Sequence, residues 1–225
     1  MTALSLAESH TKPLMVGRIY DADQLPYEIS QRDFEADIIW SEAMLGRMGI
    51  TAGQTILLGF QSSQGAQWGP WIEALNRRRA TFGLAMPTIY DGPRWGMYLR
   101  RFDLGGVAGI NAKVLQALSD VGENAPTLFK KSGVLLADPD AVPTLKKWGL
   151  RPWRMINLGP TFALQSPDDN DAVYNAAEWL LENVDGQIVI SSRPGRLCKI
   201  ERLATGLRGK VAVDAYEEPR LRLED

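Results

Sequence analysis

A chain of 225 residues, 45% hydrophobic and 23% charged, has enough material to bury a core. Its formal net charge of -2 gives no global electrostatic reason to expect a nucleic acid or an anionic membrane as partner. One Cys and one His are too few for a disulfide framework or a structural zinc site.

No segment approaches the roughly 20 apolar residues of a membrane span. The polar stretch around His10 lacks the basic-then-apolar layout of a secretion signal, so a cytoplasmic location is expected. The expected organisation is a flexible N-terminal tail over 1–13, a single α/β domain over 14–213 and a C-terminal tail over 214–225.

Taken in order, Ser30 to Met48 predicts a helix, with Ser30 as N-cap, an acidic first turn, apolar Phe34, Ile38, Leu45 and Met48 at helical spacing, and Gly49 as its end. Ile56 to Phe60 is a continuous apolar run, as a strand buried on both faces requires. QSSQGAQWGPW then reads as a Gly-containing loop, and Pro70 as the start of a helix carrying Trp71, Ile72 and Leu75. Arg77, Arg78 and Arg79 close its last turn as a solvated basic run.

Phe82 to Met86 predicts the next strand, and Pro93 opens a helix with Trp95, Tyr98, Leu99 and Phe102 on one face. Val107 to Ile110 is a strand, Asn111 caps a helix through Leu118, and 122–127 reads as loop. Val134 to Ala137 is a strand, and Asp138-Pro139 starts a helix stopped by Gly149. This alternation argues for a mostly parallel sheet flanked by helices on both faces.

Arg151 to Ser166 reads as an apolar strand, a break at Gly159 and Pro160, and a second extended run, and the pattern changes character there. An amphipathic helix with Val173, Ala177 and Leu180 is expected over 169–183, ended by an Asp185-Gly186 turn. Ile188 to Ile190 and Leu197 to Leu203 read as strands of a small antiparallel C-terminal addition, with Cys198 as an inert strand thiol. Between Arg193 and Lys210 six Lys or Arg stand against Glu201, a pattern expected of a solvated edge strand.

Gly65 and Gly69 lack the companions of a phosphate-binding loop. No carboxylate pair or nucleophile-base pair stands out. Trp68, Trp71 and Trp95 suit either a flat apolar pocket or a core.

The order of segments resembles the phenylacetate–coenzyme A ligase branch of the adenylate-forming enzymes. Tyr27, Asp33, Phe34, Gly49, Ile50 and Gly53 stand where that family has its Tyr-Thr-x-x-Asp-Leu segment and the following Gly-Ile-x-x-Gly-Asp. LGPTFALQSP falls on its Tyr-Gly-x-Thr-Glu, and GQIVISSRPGRLCKIERLATGL on its Gly-Glu-Leu-Val-x-Thr and Arg-Tyr-x-Thr-Gly-Asp, so the resemblance runs from about residue 18 to 214. It implies the large-domain core of those enzymes, which join a carboxylate to ATP and pass the acyl adenylate to a thiol.

The departures fall on the nucleotide site. Residues 1–26 hold a single Gly and no Ser/Thr/Gly-rich phosphate loop, and the family's adenine-stacking aromatic corresponds to Leu158. Its magnesium-associated acid corresponds to Phe162 and its ribose-binding Asp to Leu207, while Gly159, Thr161, Arg202, Thr205 and Gly206 match. The chain stops at Asp225, before the small domain that bears the family's catalytic Lys.

The resemblance therefore implies a degenerate relative without adenylating activity, needing no cofactor and no metal. Phe60, Gln61, Trp68, Gly159, Thr161, Phe162 and Arg202 are its cleft residues by position. Expected partners are a small acyl or aromatic acid, a protein, or further copies of the chain. Two alternatives stay open: an ATP-independent acyl- or thioester-handling enzyme, or one subunit of a split ligase. A purely structural role for the edge near Arg193 to Lys210 is a third.

Overall fold

The computed structural model describes residues 12–19, 25–213 and 218–224; the expected N-terminal tail lies almost wholly outside them. Contacts divide the chain into two compact units, one of Glu42–Ser62 and Trp71–Ile156, the other of Met1–Ser41, Ser63–Pro70 and Asn157–Asp225.

Strands β1 (Pro13–Arg18) and β2 (Pro26–Ser30) pair antiparallel and lead into α1 (Gln31–Arg47). Ser30 caps α1 as expected. Its Oγ accepts from the Asp33 N–H at 3.2 Å while Asp33 Oδ2 accepts from the Ser30 N–H at 3.0 Å, so two end donors are satisfied reciprocally.

After β3 (Thr55–Gly59) a short 3-10 turn runs directly into α2 (Gly65–Arg77). Gly65 and Gly69 therefore lie in a helix where a loop is expected, and Pro70 is interior to it. Arg78, expected in solvent, donates to the Ile50 carbonyl at 2.8 Å and to that of Glu42 at 3.4 Å.

The chain continues through β4 (Thr81–Ala85), α3 (Gly92–Arg101), β5 (Leu104–Ile110) and α4 (Ala112–Asp120), the last capped by Asn111 as expected. Residues 125–127, expected as loop, open α5 (Ala125–Lys130): Asn124 caps it, Pro126 suits its first turn, and Leu128 and Phe129 are buried. Then come β6 (Val134–Ala137), α6 (Val142–Lys147) and β7 (Trp153–Asn157).

In the first unit β7, β6, β5, β3 and β4 lie in that order, every pair parallel. The core alternates along the strands. Leu57, Val107 and Leu135 pack with Trp95, Leu99, Leu118 and Phe129 from α3, α4 and α5. Ile56, Leu58 and Leu136 line an apolar cavity with Leu45 and Met48 of the α1 end and Trp71 and Leu75 of α2. Helices thus cover both faces, as strands that are apolar on both sides require.

The second unit holds β8 (Phe162–Gln165), β9 (Ala172–Tyr174), β10 (Trp179–Val184), β11 (Gln187–Ser192), β12 (Leu203–Val213) and β13 (Pro219–Leu223). Their order is β8-β9-β13-β12-β11-β10, antiparallel throughout, so the expected antiparallel addition takes in six described strands.

The helix expected over 169–183 is instead β9 and β10. Trp179 and Leu181 are buried while Leu180 between them is exposed, a period of two. Asp185 and Gly186, with φ of 52° and 82°, form a two-residue hairpin into β11 rather than a helix stop. Leu197 to Arg202 is loop rather than strand, because the Leu197 N–H is taken by Asp33 Oδ2 at 3.0 Å and Arg202 turns the chain at φ 47°. Cys198 is therefore a buried loop thiol. The expected C-terminal tail contains β13: in Arg-Leu-Arg-Leu, Leu221 is buried while Arg222 holds Asp171 at 2.6 and 2.8 Å.

One close approach shapes the parallel sheet. Gly109, at φ 77° near the end of β5, lies so near β3 that a Cβ there would overlap the Gly59 carbonyl oxygen. Gly109→Ala is expected to lower unfolding free energy by about 2–4 kcal/mol, combining the left-handed penalty with the overlap. Urea unfolding checks this, and an unchanged midpoint would contradict it.

Candidate functional site

The strand order of the parallel unit reverses at β3. After β3 the chain places β4 on one side and then β5 on the other, and it sends α2 and α4 to opposite faces of the sheet. The loops after β3 and β5 consequently part at their C-terminal ends, where open α/β sheets hold their ligands. Phe60, half-buried, and Gln61, exposed, two of the expected cleft residues, lie there.

Three further polar residues share this end of the sheet. Asn111, after β5, accepts from the Val114 N–H at 3.0 Å and donates through Nδ2 to the Pro87 carbonyl at 3.2 Å, tying the loops after β5 and β4 together. Asp138, after β6, donates its N–H to the Ile110 carbonyl at 2.8 Å. Asp140 Oδ1 accepts from the Ala112 N–H at 3.2 Å, at the start of α4.

The half-buried Asp138 carboxyl is pushed up to about 7, first by burial and then by the charge of Asp140. It can therefore hold or release a proton near neutrality, which an ordinary carboxylate cannot. The sequence marks Asp138 only as a helix start; its place just past a buried parallel strand is the signal that would have found it.

The other unit contains the corner between β7 and β8. Gly159 makes the turn at φ 96°, its N–H donates to Asn157 Oδ1 at 2.8 Å, and the Leu158 N–H donates to the Thr161 carbonyl at 2.9 Å. Gln67 Nε2 donates to the Gly159 carbonyl, and Tyr27 donates to that of Pro160 at 3.3 Å.

Of the residues expected at the cleft, Trp68, Gly159, Thr161 and Phe162 gather at this corner. Trp68 and Phe162 meet with ring centroids 5.4 Å apart, but at 1% and 2% exposure they belong to the core of their unit. Thr161 is half-buried. Arg202 is exposed in the loop before β12, and its neighbour Leu203 is the one that packs near Gly159. Trp71 and Trp95 are likewise buried, in the parallel unit.

A buried charge cluster secures this second unit. Arg196 Nη2 donates to Asp37 Oδ2 at 2.9 Å and its Nη1 to Glu178 Oε2 at 3.1 Å. The guanidinium also stacks over Trp179 at 4.3 Å, and Asn175 Nδ2 donates to Asp37 Oδ1 at 3.2 Å. Burial works against the Arg196 charge, but the hydrogen-bonded Asp37 outweighs it and holds the group further above the usual arginine value. One of the six bases expected on a solvated edge is thus an internal tie. Cys198 lies among these charges with its thiol pushed up, mainly by burial, as suits an inert thiol.

Among the described residues no cluster of three or more metal-ligating side chains occurs, and no helix is long and apolar enough to cross a membrane.

No family profile matches the chain, and no curated protein does. Solved acyl-CoA ligases share its fold. A 2-hydroxyisobutyryl-CoA ligase in an open conformation, in complex with 2-HIB-AMP and CoA, aligns with a TM-score of 0.73 at 14% identity, over 95% of this chain and 52% of its own. A malonyl-CoA ligase with methylmalonyl-CoA and AMP bound aligns with a TM-score of 0.57 at 12% identity, over 93% and 52%. The chain thus spans about half the length of these structures, and at such identities the likeness is one of fold.

The raised Asp138 carboxyl has a consequence for stability. Unfolded, it releases its proton near pH 3.9; folded, it keeps the proton up to about pH 7. Its contribution is therefore present at low pH and is lost as pH rises from about 4 to about 7. Asp138→Asn is expected to flatten that decline in urea midpoints between pH 4.5 and 8, and an identical pH slope in the variant would contradict the assignment.

Proposed function

We propose that this chain is a degenerate relative of the acyl-CoA ligases, of the phenylacetate–CoA ligase branch, that binds a small acyl or aromatic carboxylic acid and does not adenylate it. The observation that carries this reading is the burial of Leu158 and Phe162, at 0% and 2% exposure. At those positions the resemblance calls for an adenine-stacking aromatic and a magnesium-associated acid. An alkyl and a phenyl group sealed in the corner offer a nucleotide neither stacking surface nor metal ligand.

The acid binds at the C-terminal end of the parallel sheet. Phe60 supplies apolar surface and Gln61 a side-chain amide donor. Asp138, protonated below about pH 7, supplies an O–H donor for a carboxylate, as a charged Asp would not. The same exchangeable proton favours one second reading, in which the site handles an acyl thioester without ATP. A cytoplasmic location is part of this proposal, and a protein partner on the same surface is the alternative occupant.

Thermal unfolding with ATP-magnesium, AMP, coenzyme A, a panel of aromatic and fatty acids, and their acyl-CoA esters tests this. A ligand at 100 times its dissociation constant adds about 2.7 kcal/mol of stability. An upward shift is expected with one or more acids, larger at pH 6 than at pH 8, and none with ATP or AMP. Acyl-adenylate formation would overturn the proposal, and consumption of an acyl-CoA ester without ATP would establish the second reading in its place.

A further inference from the structure

Strand β4 ends the parallel sheet, and no described strand follows it. The parallel register with β3 fixes which of its backbone groups are free. Thr81 donates its N–H to the Gln54 carbonyl at 2.9 Å, and the Ala85 carbonyl accepts from the Phe60 N–H at 3.3 Å. Alternation then turns Thr81, Gly83 and Ala85 toward β3, and turns the N–H and C=O of Phe82 and Leu84 outward.

The free stretch is bounded on both sides. The Ala80 N–H donates to the Leu75 carbonyl at 3.0 Å. The Met86 N–H donates to Asp91 Oδ2 at 2.7 Å, and the Met86 carbonyl accepts from Trp95 Nε1 at 2.9 Å.

Edge strands in soluble proteins are commonly blunted by Lys, Pro or a bulge. Thr81-Phe82-Gly83-Leu84-Ala85 has none of these, and its pairing with β3 is unbroken. Exposed apolar side chains lie on it and in the stretch that follows it instead: Leu84 at 41%, Met86 and Ile89 at 47% each and Tyr90 at 86%. An unpaired strand edge with exposed apolar side chains fits another strand, not a globular face or a small molecule.

We infer that the occupant is a second copy of β4, running antiparallel about a two-fold axis through Gly83. The strand is complementary to itself in this register. Phe82 of each copy faces Leu84 of the other, and because both turn their backbone outward the two residues exchange both hydrogen bonds, giving four across the axis. Gly83 occupies the narrow pair on the axis, where the space its Cβ would take is already filled by the Tyr98 ring.

Charge is compatible with the register. Exposed Arg79 lies at the start of the strand, and Asp91, held by the Met86 N–H, lies at its end. The antiparallel arrangement brings the start of one copy to the end of the other, so Arg79 approaches a carboxylate that Arg94 Nε of its own copy already meets at 3.4 Å, and like charges are not opposed.

Sedimentation velocity of the full chain, from low to high micromolar concentration, tests the inference together with hydrogen exchange at the two outward amides. The native chain is expected to double its mass as concentration rises, with the Phe82 and Leu84 N–H groups gaining protection in step. Leu84→Lys, at an exposed position, is expected to weaken association at least about tenfold with an unchanged circular dichroism spectrum. A single-copy mass at every concentration would overturn the inference, as would a dimer that leaves both amides unprotected. The exchange measurement uses the native chain, so it decides the matter even if the variant folds poorly.

Discussion

The approach of β5 to β3 at Gly109 and Gly59 is the constraint on which the candidate site depends. With no Cβ at Gly109 the two backbones lie close where the strand order reverses, and the sheet continues in parallel on both sides. The helices that follow β3 and β5 depart to opposite faces, so the loops after these strands diverge. Phe60, Gln61 and Asn111 stand at that divergence because the sheet puts strand ends there, and Asp138 arrives one strand further on. The raised proton affinity of Asp138 follows from the same geometry, since a carboxyl at the end of a buried strand beside Asp140 is short of water and faces a like charge.

The other unit is secured differently. Apolar strands alone do not fix the loop between β11 and β12; Arg196 does, by reaching from that loop to Asp37 on α1 and Glu178 before β10. A buried guanidinium is tolerable because two carboxylates and the Trp179 ring replace its water. Removing one member of such a group costs about 3–5 kcal/mol, because the remaining charge is left buried and unpaired. The Gly159 corner is closed in a related way, with the carbonyls of Gly159 and Pro160 occupied by Gln67 and Tyr27. Those two carbonyls are thus already satisfied within the protein.

Much of the parallel unit was legible because its signals are local. Ser30 and Asn111 cap the helices they precede, and the apolar runs at 56–60 and 134–137 read as strands since both faces are covered. The stretch 169–183 was not legible: Val173, Ala177 and Leu180 fit a helix, and pairing with β13 and β11 decides for strands. Phe60, Gln61, Trp68 and Phe162 were all expected at a cleft from the family resemblance; the first two stand at the end of β3, whereas Trp68 and Phe162 lie in a core, because residue type does not say which side of a ring meets solvent. Asp138 was passed over since Asp-Pro reads as a helix start, and Arg196 was lost among six bases because burial alone sets it apart.

In the proposed function an acid occupies the switch point of the parallel sheet and not the Gly159 corner. Amide chemical shifts of the isotopically labelled chain, recorded as an acid selected by thermal unfolding is added, test it directly. Saturable shifts are expected at Gln61, Asn111 and Asp138, with Gly159, Thr161 and Phe162 unmoved. Saturable shifts confined to Gly159, Thr161 and Phe162 would contradict it.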